Sequence, residues 1–307
     1  NAQINAAVLT AAASLAGGKV GVGVAVGGST AVNIIGVNNS TDGSFAEVTG
    51  ATMTAGGDVT VEALQTTTIN TIVQAVSAAF AGGGVGVGVS GAVTLSNATL
   101  AYAVDASVSE STITAGGTVS VNAEDTGTML SIVGATSVAA AVGVVAVAVS
   151  VAVSVASGVI DNRVTAEVSG TDVTASNLSV TAADDMNNRV ISAASSAAVA
   201  AGIGAAVAGG GAQATLTYTT DVTAQITGDT GDVLRLSSAL NVGATSRSTM
   251  LSETLGASAA AGFYGVAASG VNATLIARPD VRATLSGVRV QDRESGTATL
   301  DVAVDAI

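Results

Sequence analysis

The side chains able to do chemistry in these 307 residues are few, and most are carboxylates. Glu124-Asp125, Asp184-Asp185 and the Asp229/Asp232 pair are where two acids lie close enough in sequence to serve as general acid and base. Parallel β-helix enzymes acting on acidic polysaccharides use such groups. Neighbouring acids on a strand, however, point to opposite faces. Neither a His nor a nearby cluster of Lys and Arg joins any of them, so solvated turn residues are their expected role. An exposed cleft holding Arg and acidic side chains together is what the enzymatic reading would need. Asp229-Thr-Gly-Asp232 and Asn38–Gly43 offer enough oxygen for calcium, with Asp229 and Asp232 the candidate ligands. The Gly-Gly-x-Gly-x-Asp nonapeptide is absent, and the expectation is no metal, no cofactor and no catalytic residue.

Other motifs reduce to structure in the same way. Gly82-Gly-Gly-Val-Gly-Val-Gly88 is superficially a dinucleotide loop, but it lacks the βαβ context that lets such a loop bind phosphate. Thr66-Thr-Thr68 and Thr52/Thr54 hint at ice-binding threonine ladders, yet they do not recur in every repeat. Asn97-Ala-Thr99 and Asn272-Ala-Thr274 match the glycosylation acceptor pattern inside expected strands, where an amide ladder is the plainer role.

Composition removes further classes. No Cys, His or Trp is present, which excludes zinc fingers, iron–sulfur clusters, haem ligation, thiol nucleophiles and Ser–His triads. A net charge of −13 argues against nucleic acid, and a mean hydropathy of +0.62 argues against disorder. Asn1 opens the chain and residues 1–20 lack a basic n-region, so a mature or excised piece of something longer is expected.

The elements that would position these residues repeat. Thr54-Ala-Gly-Gly-Asp-Val-Thr-Val-Glu-Ala63 returns as Thr114-Ala-Gly-Gly-Thr-Val-Ser-Val-Asn-Ala123, and more weakly at Thr174–Ala182, Leu236–Ala244 and Thr299–Ala306. Their last valines, Val61, Val121, Val180, Val242 and Val304, are spaced by 60, 59, 62 and 62 residues. Ala46-Glu-Val48, Ala106-Ser-Val108, Ala166-Glu-Val168, Ala224-Gln-Ile226 and Ala283-Thr-Leu285 keep the same phase, as does Asn/Gln-Ala-Thr-Leu at Asn97, Gln213 and Asn272. Five repeats follow, approximately 1–64, 65–124, 125–183, 184–245 and 246–307, in a single array. Ile4-Asn5 matches Ile69-Asn70 with Asn38–Ser44 as an extra loop, and Ile307 is in phase with Leu64, so the tail would lead on to residue 1 of a next copy or repeat.

Within a repeat the period is two. Val145, Val147, Val149, Val151, Val153 and Val155 alternate with Ala146, Ala148, Ser150, Ala152, Ser154 and Ala156, which argues strand. Gly17-Gly18, Gly82–Gly84, Gly116-Gly117 and Gly209–Gly211 supply turns. One repeat then reads as a run from about Asp58 to Ala81, a Gly turn, a return from Val85 to about Ser109, and a second turn at Thr114–Gly117. The fold class is all-β: a flattened β-solenoid with two long faces, against a three-sided β-helix of ~20-residue coils or stacked long hairpins. The valines are expected inside and the Gly/Ala/Ser face outside. Residues 63–104, 126–160, 190–220 and 254–277 carry no charge, and the charges gather once per repeat. The uncharged half is therefore expected to be buried against other copies while the acidic edge faces water. Alternation, the absence of basic flanks and the scarcity of aromatics argue against a membrane span.

The block Ser/Thr-x-[Ile/Met]-Thr-Ala-Gly-Gly-x-Val-x-Val-x-Ala at Thr52–Ala63 and Ser111–Ala123, with the Ala/Gly/Val tract after it, resembles the repeats of large bacterial surface proteins, the filamentous-haemagglutinin-like and leukotoxin-type filamentous adhesins. The resemblance covers essentially the whole chain. It implies a β-solenoid stalk, export from the cell and a fibrous or adhesive role, although the chain has a subunit's length and no visible secretion domain. The expected function is structural and non-enzymatic: a protomer or segment of an extracellular bacterial fibre. Its partner would be itself, through the edge residues Ile4, Val8, Val302, Val304 and Ile307, with no nucleic acid. The alternative is a binding module that recognises glycan or protein through loops such as Asn38–Phe45 or Gly228–Asp232. A polysaccharide-active enzyme stands third.

Overall fold

A computed structural model describes residues 1–229, 231–293 and 300–307. Thr230, inside one calcium-candidate segment, and Thr299, at the head of the last repeat copy, lie outside the described residues. All the ladders pair in parallel, which rules out stacked hairpins. The first coil comprises β1 (Ala2–Ala16), β2 (Val20–Ile35), β3 (Gly43–Thr49) and β4 (Thr52–Ala55). The second comprises β5 (Val59–Gly82), β6 (Val85–Leu100), β7 (Ala103–Ser109) and β8 (Thr112–Ala115). The long β9 (Thr118–Ser169) and β10 (Asp172–Thr227) make the next two coils, each doubling back once. β11 (Val233–Ala261), β12 (Tyr264–Ser286), β13 (Arg289–Asp292) and β14 (Asp301–Ala306) complete the last turns.

One repeat is one coil. Val61 pairs with Val121, Val121 with Val180, Val180 with Val242 and Val242 with Val304, so the aligned valines form a single column along the axis. Ala46, Ala106, Ala166, Ala224 and Ala283 form a second. Ile4 lies on Ile69 and Val20 on Val85, with the Asn38–Ser44 insertion absorbed in the loop between β2 and β3.

The cross-section is a wedge with a short third side. The tip is closed by tight turns at Gly17-Gly18, Gly83-Gly84, Gly143-Val144 and Gly202 in the first four coils, and Gly18, Gly83 and Gly202 take φ of 131°, 154° and 131°, a region that favours glycine. Gly82 itself ends β5, and Gly116-Gly117 turns the chain between β8 and β9. Gly209–Gly211, expected to turn the chain, instead lies inside β10 with a continuous ladder to Val151–Val153. The bend falls at Gly202, where the register slips between Ala201 and Ile203.

The expected sidedness is inverted. Ala146, Ala148 and Ala152 are fully buried, whereas Val145 and Val151 are 45% and 44% exposed. The reason is space. A two-residue turn holds the sheets so close at the tip that a Cβ on Gly88 would sit 2.8 Å from the carbonyl oxygen of Ala140. Only Gly, Ala and Ser fit between them. Away from the tip the sheets part: the inward residues of β6 are Gly86 and Gly88 at the tip, then Ser90, Ala92, Thr94, Ser96 and Ala98, and finally Leu100 at the broad end. The interior is thus divided. Two small alanine clusters fill the thin blade, and hydroxyls bridge the sheets between them, as in Ser77–Ser90 at 2.7 Å and Ser150–Ser137 at 2.9 Å. The large core of Ile69, Leu100, Ile113, Met129, Leu178 and Leu216 lies at the broad end, roofed by the short third side.

Candidate functional site

Three features of the fold hold the residues that the sequence singled out. The first is the pair of open ladder edges. Among the described residues β1 to β4 pair on one side only, with β5 to β8, and β12, β13 and β14 pair only with β10 and β11. Ile4 and Val8 point inward and pack, half-buried, on the core. At the other end Val302 and Val304 are 51% and 41% exposed, in the columns of Leu240 and Val242. Ile307 exchanges backbone bonds of 2.9 Å with Ala244 and Ser246. The columns run straight through the stack: Ile4–Ile69–Met129–Asn188–Met250, and Val59–Val119–Leu178–Leu240–Val302. A coil added in register beyond the last one would therefore set an Ile4 on Met250 and a Val59 on Val302. Such an edge is a template for strand addition.

The second feature is a buried polar band where blade meets broad core. Asp125 and Asp184 are ladder partners on adjacent coils and both point inward. Asp125 accepts bonds from Tyr102 Oη at 2.9 Å and Asn162 Nδ2 at 3.0 Å. Asp184 accepts from Tyr218 Oη and, more weakly, from Ser246 and Ser248. Burial first, and the neighbouring Asp184 charge second, push the Asp125 carboxyl up to about 7. Burial likewise raises Asp184 and both tyrosines, the tyrosines further because each faces a carboxylate. This corrects the expectation that these acids are solvated turn residues. Alternation does send Glu124 and Asp185 outward, but their neighbours go into the core. The acids that meet are not adjacent in sequence but one coil apart, so the signal lay in comparing equivalent positions, Gln65, Asp125, Asp184 and Ser246. Sealed inside the solenoid, the pair has no substrate access, and its chemistry is titration.

The third feature is a groove of about 440 Å3 on the outer surface of the third side, lined by Asp105, Arg163, Glu167, Gln225 and Arg282 among others. Arg163 Nη2 lies 2.5 Å from Asp105 Oδ2, and Arg282 pairs with Asp280. The in-phase motif at Ala106–Val108, Ala166–Val168 and Ala224–Ile226 supplies Ser107, Glu167 and Gln225 to this groove, but no motif marks Asp105, Arg163 or Arg282, and the members meet only through the register.

The calcium candidates form turns. Asp232 Oδ2 accepts the Asp229 amide at 2.7 Å, and Asp42 Oδ2 accepts the amides of Val37 and Asn38. Among the described residues no group of three or more His, Cys, Asp or Glu side chains is placed to share a metal ion, and no helix is long and apolar enough to cross a membrane. No known protein family, curated protein or solved structure matches the chain.

Proposed function

We propose that this chain is a structural, non-enzymatic β-solenoid protomer or segment of an extracellular bacterial fibre or adhesin stalk. Its coils join end to end, either to further repeats or to another copy of the chain, by strand addition between the first and last coils. The observation that carries this reading is the register: both open edges present the same columns of inward residues, apolar on apolar at Ile4–Met250 and Val59–Val302 and apolar on hydroxyl at Val8–Thr254, with ladder groups free to pair. A head-to-tail contact of that kind does not close on itself and gives a filament. The resemblance to filamentous adhesins at Thr52–Ala63 and Ser111–Ala123 supports the extracellular, fibrous setting.

Negative-stain microscopy of the purified chain tests it. The expected result is unbranched filaments with an axial repeat of roughly 24 Å for five coils at ~4.8 Å each. Replacing exposed Val302 and Val304 with Lys should leave short rods. Wild-type protein that stays as short rods at high concentration would overturn the end-to-end contact.

The groove at Asp105, Arg163 and Arg282 favours a second reading, a module that binds an acidic glycan or a protein surface; it is also the exposed cleft of Arg and acidic side chains that the third reading, a polysaccharide-active enzyme, needs. Glycan-array binding lost on Arg163→Ala and Arg282→Ala, with filaments intact, would support it.

A further inference from the structure

The inversion of the two faces leaves the outward side of the return strands, the valine side, bare. Its columns run Val22–Val87–Val147–Ala205, Val24–Val89–Val149–Val207 and Val26–Gly91–Val151–Gly209, then Gly28–Val93–Val153–Gly211–Gly270. From Val85 to Val93 over five coils this apolar field measures ~30 Å by ~24 Å, on the order of 700 Å2. That is about the area each partner contributes to a standard stable interface, and more than a soluble monomer ordinarily exposes in one patch.

Along the Val93 column its relief is uneven in a self-complementary way. In the first three coils Val26, Val93 and Leu95 stand out, at 70%, 40% and 44% exposed. In the last two coils the Val26 and Val93 columns hold Gly209, Gly211 and Gly270 while the Leu95 column holds Gln213 and Asn272, and a shallow groove of about 390 Å3 opens along Val153, Gly211, Gln213 and Gly270. A two-fold axis lying along the strands brings the second coil of one chain onto the fourth coil of another. Val93 then stands over Gly211, Leu95 over Gln213, and Val153 meets its own copy. An axis along the solenoid over the Val93 column would instead match every coil with itself and set ridge on ridge.

We infer that this face pairs with the same face of a second copy, axes antiparallel, with the Val93 side chain seated in the Gly211 groove. The contact uses a sheet face, not a ladder edge, so it sets the width of an assembly where the end-to-end contact sets its length. A lipid surface would cover apolar area without needing the ridge to match the groove.

The test starts from the Val302→Lys/Val304→Lys chain, whose end-to-end contact is blocked, in sedimentation equilibrium. A dimer is expected, weakened about tenfold or more by Gly211→Val, which corresponds to about 1.4 kcal/mol. A Cβ added at Gly211 meets nothing within 4 Å, so this variant folds. Because the chain has no Cys, Val93→Cys and Gly211→Cys chains mixed together give a second readout, an intermolecular disulfide. Within one chain these positions are two coils apart, ~9.6 Å, too far to bridge. A monomer at high micromolar concentration, no 93–211 disulfide, or association seen only with phosphatidylcholine vesicles would each overturn the pairing. Loss of filaments with retention of the dimer would sink the end-to-end reading and leave this one standing.

Discussion

Asp125 and Asp184 are partners in one ladder, one coil apart, and both are buried to within 1% of full occlusion. Two carboxylates so placed cannot both be ionised without cost, since neither charge is solvated and each repels the other. The hydroxyls of Tyr102 and Tyr218 and the amide of Asn162 offset part of that cost.

The first prediction is a stability that falls as pH rises. Asp125 titrates near 3.9 in the unfolded chain but at about 7 in the fold, so between those values the folded state binds the extra proton. Stability is greatest below ~4 and falls through the window up to about 7, by at most on the order of 4 kcal/mol. Asp125→Asn should flatten this dependence and match or exceed wild type at pH 8, because Asn162 Oδ1, now without a partner, can accept the new amide. Urea unfolding at several pH values checks it, and an unchanged slope in the variant would refute the assignment.

Tyr102→Phe makes a second prediction. It removes the donor to Asp125 Oδ1 at 2.9 Å while keeping the ring in the core. The ionised carboxylate then loses a partner, costing ~1–3 kcal/mol above the titration of Asp125 and less below it. The variant's pH slope should therefore be steeper than wild type, the opposite of Asp125→Asn.

These two residues also mark the limit of what the sequence discloses. The period of sixty is legible in Val61, Val121, Val180, Val242 and Val304 because parallel coils stack like residues on like, and each of those pairs is a ladder contact. The alternation of Val145–Ala156 is legible as strand for the same elementary reason. Which side of it faces inward is not, since period two is symmetric between the faces. The choice is made by the spacing of the sheets, fixed at the tip by turns at Gly83 and Gly143, and that spacing rejects valine. Gly209–Gly211 misleads for a related reason: glycine serves there as a small outward or inward residue, not as a turn. The Asp105–Arg163 groove is illegible in any one repeat, since its members come from four repeats and no repeat contributes more than three of them.

The taper gives the third prediction. Gly88→Ala puts a Cβ 2.8 Å from the Ala140 carbonyl oxygen, and both groups belong to backbone that cannot swing away. The blade must spread, at a cost of ~1–3 kcal/mol. Gly134→Ala, on an outward position with only the Gln74 side chain nearby at 3.8 Å, should be neutral or slightly stabilising. Thermal melts of the two variants decide it: equal losses would mean that the sheets are not held at this spacing.

The fourth prediction concerns the joint between coils. Glu62, Asn122, Thr181, Gly243 and Asp305 form one outward column, so a coil added in register sets a Glu62 carboxylate above Asp305. At every end-to-end joint two exposed like charges thus lie about one coil spacing apart, ~4.8 Å. Exposed pairs of this kind are worth ~0.2–1 kcal/mol and are screened by salt. Asp305→Asn should lower the concentration needed for filament growth by about two- to fivefold at low ionic strength. Raising the salt should bring wild type toward the variant. Light scattering during assembly measures this directly. A variant that assembles no more readily than wild type at low salt would mean that the ends do not meet in this register.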